Sequence, residues 1–135
     1  MGRQVTFDLP IGARTVWAEA RGEPEAGQRA VAHVIVNRLR SNRWGTTLAS
    51  VCVFRLQFSC WNDSDPNRIQ LVSLSENDPA VVTFGGFLED ALRGQDPDAT
   101  QGALHYYAIS IPEPSWAAGK SFTQIGNHRF VRGVA

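Results

Sequence analysis

The sequence predicts an α+β domain, mainly helical with a small antiparallel β element. Three observations carry that expectation. Apolar residues recur at helical spacing through two long stretches, one after Glu23-Pro24-Glu25 and one after Asp78-Pro79. Pro and Gly punctuation separates the helical stretches. The last third changes to short aromatic and β-branched runs, with Gly126-Asn127 placed as a hairpin turn would be. At 135 residues the chain is read as one domain, spanning 1–135, large enough for a real core.

Pro10 and Gly12 open a first helix that runs to about Ala20, and Arg21-Gly22 breaks it. Glu23-Pro24-Glu25 starts the second, because proline is tolerated in a first turn and acidic side chains favour the positive end of the helix dipole. Val31, Val34, Ile35 and Leu39 form its buried stripe, with Arg29, Arg38 and Arg40 on or beside the other face. It ends near Ser41-Asn42. Thr46 to Val53 reads as a short helix or turn, and Phe54 to Trp61 as extended. Asp65-Pro66 opens a short helix to about Leu71.

Asp78-Pro79 repeats that signal. Val81, Val82, Phe84, Phe87, Leu88, Ala91 and Leu92 then make a thoroughly buried helix that Gly94 ends. Gly85-Gly86 inside it costs about 1 kcal/mol per glycine relative to alanine. The pair therefore predicts close packing against another backbone. Leu104 to Ile109, Phe122 to Ile125 and His128 to Val131 are the strand segments.

The 13 basic and 13 acidic residues cancel. No basic stripe suggests nucleic acid, and no apolar run approaches the ~20 residues of a membrane span. A monomer with a neutral or locally charged partner is expected, and four Trp, two Tyr and seven Phe suit sugar rings as well as a core. The stretch MGRQVTFDLPIG has no apolar signal-peptide segment. The chain is read either as made in the cytosol and released by another route, or as a mature domain of a longer precursor. Cys52 and Cys60 are either a short disulfide loop or two buried thiols. His33, His105 and His128 share no ligand-like spacing, so no metal is expected. No cofactor is expected either. Asp63 to Asn67 lacks the glycine and distal glutamate of a calcium loop.

WAEARGEPEAGQRAVAHVIVNR, residues 17–38, is the most informative stretch. Glu19 lies among apolar residues at the C-terminal end of the first helix. Apolar surroundings and the negative helix end both disfavour its ionised form, which makes it a usable general acid near neutral pH. Glu23 and Glu25 are assigned to a helix N-terminus, Asp65 to a cap and Asp63 to a turn, so no second catalytic carboxylate stands out. Gln57, Ser59 and Trp61 alternate along the extended segment and share one face, with Phe58 and Cys60 on the other. Tyr106 and Tyr107 point to opposite faces of a strand. Asn37-Arg38 ties the second helix to neighbouring backbone, and Arg21 either orients Glu23 or contacts substrate.

EARGEPEAGQRAVAHVIVNR closely resembles the opening motif of the cell-wall hydrolase family typified by the spore-cortex-lytic enzymes. QFSCWNDSDPNR (57–68) resembles its second block and ALHYYAISIPEPSWAAGKSFTQIGNHRF (103–130) its third. The blocks stand in the family's order and span about Trp17 to Phe130. The resemblance implies a lysozyme-like fold that acts on peptidoglycan glycan strands in the periplasm or outside the cell. It implies cleavage of the β-1,4 link between N-acetylmuramic acid and N-acetylglucosamine by lytic transglycosylation. The chain looks most like compact bacterial or phage-borne (endolysin-type) members.

Carried onto this sequence, the resemblance makes Glu19 the catalytic acid and Tyr106 the tyrosine that holds it. Gln57, Ser59, Trp61, Tyr107, His105 and Trp116 are candidate substrate-binding residues, with packing as the alternative role for each. A hydrolytic muramidase and a non-catalytic peptidoglycan-binding module are the competing readings.

Overall fold

A computed structural model describes residues 2–54, 58, 61, 70 and 73–134, with side chains from Leu9 onward. In chain order, helix α1 is Gly2–Ala20, α2 is Glu25–Ser41, α3 is Leu48–Val53 and α4 is Pro79–Leu92. Strands β1 (His105–Ala108), β2 (Phe122–Ile125) and β3 (His128–Val131) follow, with a short 3-10 turn at Ser115–Ala117. The expected α+β class is found.

α1 starts upstream of the expected Pro10 and passes through that proline. Proline there removes one backbone donor from the helix ladder without ending it. After the break at Arg21-Gly22, α2 begins with Pro24 as its N-cap and closes on Asn42, whose left-handed backbone (φ 60°) stops the helix. Thr47 and Ser50 open α3 with a reciprocal capping box. Asp78 caps α4 by accepting from the Ala80 N–H at 2.9 Å, with Pro79 in the first turn.

The core lies where α1, α2, α3 and α4 meet. Ala13, Val16, Val31, Val34, Ile35, Leu48, Val51 and Leu88 are essentially solvent-free. α4 is not buried all round, because Val82 is 61% exposed. The Gly85-Gly86 expectation is also corrected. A Cβ at Gly86 would meet nothing within 4 Å, and one at Gly85 would only touch Ala13 at 4.0 Å. The close approach between α1 and α4 is at Gly12, where a Cβ would fall 2.6 Å from Leu88 Cδ1.

The segment Phe54 to Trp61 is not a strand where it is described. The Trp61 N–H donates to Phe58 O at 3.1 Å, which makes a turn. The sheet is antiparallel with order β1-β3-β2. Tyr106 pairs with Phe130, Ala108 with His128 and Ile125 with His128. These residues share one sheet face, while His105, Tyr107 and Arg129 occupy the other. Tyr106 and Tyr107 therefore do point to opposite faces.

These contacts set opposite outcomes for two alanine substitutions. Gly86→Ala should raise stability by about 0.5–1 kcal/mol, since helix propensity improves and nothing is displaced. Gly12→Ala should cost about 1–3 kcal/mol through overpacking on Leu88. Urea denaturation midpoints of the two variants check the signs.

Candidate active site

Ala13, Val16 and Ala20 are buried along α1, which fixes the rotation of its last turns. Glu19 is thereby left half-buried at the helix end. Tyr106 reaches it from β1, and its hydroxyl donates to Glu19 Oε1 at 2.5 Å. Two rings brace Tyr106 on its sheet face. Phe130 lies 5.4 Å away at 32°, and His128 stands edge-on at 5.1 Å and 87°.

Glu23, four residues after Glu19, grips the same sheet. Its Oε1 accepts from the Asn127 backbone N–H at 2.7 Å and its Oε2 from the Asn127 amide at 3.0 Å. His128 Nδ1 lies 3.4 Å from Oε1, in electrostatic contact but outside hydrogen-bond geometry. Glu23 is thus a clamp on the β2–β3 turn, and the helix-N-terminus role expected for it is corrected. Burial pushes its carboxyl up, but the Asn127 bonds and His128 outweigh that and leave it below the usual 4.5. Burial likewise holds the His128 imidazole below its ordinary 6.5 against the opposing pull of Glu23. Glu25 does occupy the first turn of α2, paired with Arg29 at 2.9 Å.

Asn37 and Arg38 fasten α2 to the start of β1, as expected. Arg38 Nε donates to Leu104 O at 2.7 Å, and Asn37 Nδ2 donates to Ala103 O at 3.1 Å and to Asp98 Oδ2 at 2.9 Å. The outward face expected for Arg38 is wrong, because the residue is buried. Its guanidinium lies over Trp44 at 4.7 Å and Phe58 at 4.9 Å. Burial lowers the Arg38 pKa, and Tyr106, Cys52 and Glu19 oppose the shift. A guanidinium stays charged even so, so a cation stands within electrostatic reach of the Glu19–Tyr106 pair.

The other sheet face carries an aromatic row. His105 packs between Trp44 at 5.6 Å and Trp116 at 5.5 Å. Burial first, then the charges of Arg38 and Arg43, bring the His105 imidazole down to about 4, so it is neutral at neutral pH. Trp116 is 38% exposed. Tyr107 is buried with Ala117 and Val131, and its hydroxyl accepts from Arg129 at 3.2 Å. These contacts are those of the packing role, the alternative given for Tyr107. Trp61 is partly buried on the core and donates its indole N–H to Thr15 at 2.7 Å. Gln57, Ser59, Cys60, Asp63 and Asp65 lie outside the described residues, and Cys52 is buried. Arg21 stacks over Trp17 at 4.2 Å rather than on Glu23.

Two polar anchors escaped the sequence reading. Asp98 accepts from Thr100 N, Thr100 Oγ1 and Gly102 N at 2.6–2.9 Å and, with Asn37, sets the loop that leads into β1. Asp98-Ala99-Thr100 is an Asx-turn signal that could have been found. Asn127 carried only a turn signal, and its bond to Glu23 spans 104 positions. Among the described residues no group of three or more His, Cys, Asp or Glu could hold a metal, and no helix is long and apolar enough to cross a membrane. A separate cavity of 410 Å³ lies between Leu9-Pro10 on α1 and Val82, Gly85 and Gly86 on α4.

The fold and the site together define a helical domain that presents a carboxyl group at a helix end to a tyrosine on a small sheet. The chain belongs to the cell wall hydrolase family, whose profile matches residues 22–131. It is 34% identical over 124 residues to the spore cortex-lytic enzyme of Halalkalibacterium halodurans, covering 91% of this chain and 34% of that protein. For the spore cortex-lytic enzyme of Bacillus subtilis the identity is 32%, covering 91% and 37%. The chain thus spans about a third of the length of these curated relatives. The fold is that of the SleB catalytic domain. The Bacillus cereus domain matches with a TM-score of 0.74 at 29% identity, covering 93% of this chain and 89% of that one. The catalytic domain of the germination-specific lytic transglycosylase SleB from Bacillus anthracis matches with 0.72 at 29%, covering 93% of each.

Acid should loosen the site in two stages. His105 has a folded value of about 4 against 6.5 unfolded, so its contribution is complete above 6.5 and is lost as pH falls toward 4. Glu23 is held below 4.5, so its clamp acts above that value and is lost as pH falls below it. In thermal melts, His105→Phe should flatten the upper limb in part, since His128 contributes with the same sign. Glu23→Gln should flatten the lower limb. Unchanged pH slopes in both variants would contradict these assignments.

Proposed function

We propose that this chain is a peptidoglycan-degrading enzyme of the lytic transglycosylase type, acting on the cell wall outside the cytoplasm. Glu19 is its general acid and base, and Tyr106 holds that acid in place. The observation that carries the reading is the 2.5 Å bond from Tyr106 to Glu19, made in a chain of the cell wall hydrolase family. The family profile begins three residues after Glu19, so the assignment of this residue rests on geometry and on the 17–38 motif.

The target is the glycosidic bond between N-acetylmuramic acid C1 and N-acetylglucosamine O4. Protonated Glu19 gives its proton to O4 as the C1–O4 bond breaks, and the N-acetylglucosamine hydroxyl leaves. The muramic ring becomes oxocarbenium-like at C1. The Glu19 carboxylate then takes the proton of the muramic C6 hydroxyl as O6 attacks C1. A 1,6-anhydro ring forms, Glu19 is protonated again and no water is consumed. One carboxyl suffices for both steps. Glu23, the next carboxylate along the sequence, is held by both Asn127 donors, which supports a one-acid scheme over one in which Glu23 is the second carboxylate. The exposed part of Trp116, beside neutral His105, supplies an apolar face on which a sugar ring can stack.

Digestion of purified sacculi tests this reading. Wild type should lower turbidity and release 1,6-anhydro-muramyl ends by mass spectrometry. Glu19→Gln should lose about 10²–10⁴-fold in rate with an unchanged far-ultraviolet spectrum. Tyr106→Phe should lose on the order of tenfold, because the acid is no longer held. Reducing ends would indicate a muramidase. Binding without turbidity loss, equal in wild type and Glu19→Gln, would indicate a binding module.

A further inference from the structure

His128 faces two partners at once. Its Nδ1 is 3.4 Å from Glu23 Oε1, and its ring stands edge-on to Tyr106 at 5.1 Å. Glu23 is fixed in turn by both bonds from Asn127, the residue before His128. The imidazole therefore abuts, on one side, a carboxylate anchored by two hydrogen bonds of its own. On its other side it limits where the Tyr106 ring can lie. Phe130 also packs on the Tyr106 ring, at 5.4 Å. We propose that His128 is a positioning residue for the reaction: wedged between the Glu23 clamp and the Tyr106 ring, it sets the angle at which the Tyr106 hydroxyl meets Glu19. This rests on the reading of Glu19 as the acid.

The physical reason is geometric. A hydroxyl at the tip of a tyrosine magnifies a small tilt of the ring, and a hydrogen bond weakens steeply as it bends. An edge-to-face partner resists that tilt. His128 is 12% exposed at its side chain and Glu23 is 9% exposed. Neither therefore gains a water to take over the contact without rearranging. Burial keeps the imidazole mostly neutral at neutral pH, so its action on Tyr106 is steric and quadrupolar rather than that of a charge.

A merely structural residue would lower the amount of folded protein at every step and affect all variants alike. A positioning residue acts through Tyr106 and through nothing else. Steady-state rates on soluble glycan strands separate the two. His128→Leu, which keeps bulk and removes the ring edge, should lower kcat about tenfold while KM stays within about twofold. His128→Phe restores an aromatic edge and should recover kcat to within about threefold of wild type. With Tyr106→Phe already present, His128→Leu should change kcat by less than about twofold, since the hydroxyl it aims is gone.

Equal losses from His128→Leu with and without the Tyr106 hydroxyl would overturn the proposal, as would a loss confined to KM or no recovery in His128→Phe. If His128→Leu does not fold by melting, His128→Asn takes its place in the same cycle with the same expectations. Glu19→Gln, assayed alongside, tests the other reading on its own. Near-wild-type activity there removes Glu19 as the acid. A dead Glu19→Gln with additive His128 and Tyr106 losses removes only the positioning role.

Discussion

The structure depends on the end of α1 being locked to the sheet. Two carboxylates four residues apart do this. Glu19 receives the Tyr106 hydroxyl, and Glu23 receives both donors of Asn127. Packing alone between helix and sheet would be adaptable at the scale of a few tenths of an ångström. Hydrogen bonds are directional, and those to the ionised Glu23 carboxylate belong to the charged kind, about twice as strong as neutral ones. The Glu23 clamp also explains Gly126. Its φ of 58° favours glycine, and a Cβ there would fall 2.5 Å from Glu23 Oε1. The turn is thus shaped around the carboxylate that holds it.

A second constraint comes from beneath. Arg38 puts a permanent charge in the core, which is costly unless every side of the guanidinium is compensated. The compensation visible here is a carbonyl, two aromatic faces and the nearby Glu19 and Tyr106. The same cation helps to keep His105 neutral on the opposite sheet face. One buried residue therefore links the backbone entering β1, the Glu19–Tyr106 pair and the aromatic row. A lysine could not replace it, since an ammonium has no planar face to stack between two rings.

Much of the fold was legible because it is written in local chemistry. Asp78-Pro79 marks a helix start and Gly126-Asn127 a hairpin wherever they occur, and both lie where expected. The α2 stripe follows from spacing alone. What could not be read depends on distant partners. Arg38 sits at a helical position that a charged residue normally turns to solvent, and only Trp44, Phe58 and Leu104 draw it inward. Gly85-Gly86 looked like a close approach, whereas the tight contact is at Gly12. Alternation suggested a strand up to Trp61, but a turn to Phe58 and a bond to Thr15 carry that indole into the core. In the site, the Glu19–Tyr106 pairing was implied by resemblance. The Glu23–Asn127–His128 contacts, made across more than a hundred positions, had no local signature at all.

That distance has a mechanistic consequence. Glu19 and Tyr106 are 87 positions apart, so their geometry is the sum of every tie between the first helix and the first strand. Asn37 and Arg38 fix where β1 begins, Asp98 fixes the loop before it, and Glu23 fixes the far edge through the β2–β3 turn. None of these four groups needs to touch a glycan to govern the rate. A displacement of about 1 Å at the reacting atoms costs on the order of a hundredfold. In a domain this small the supports for the acid are necessarily spread over most of the chain. Selection on activity therefore reaches buried and remote polar residues that a reading of the groove alone would leave out.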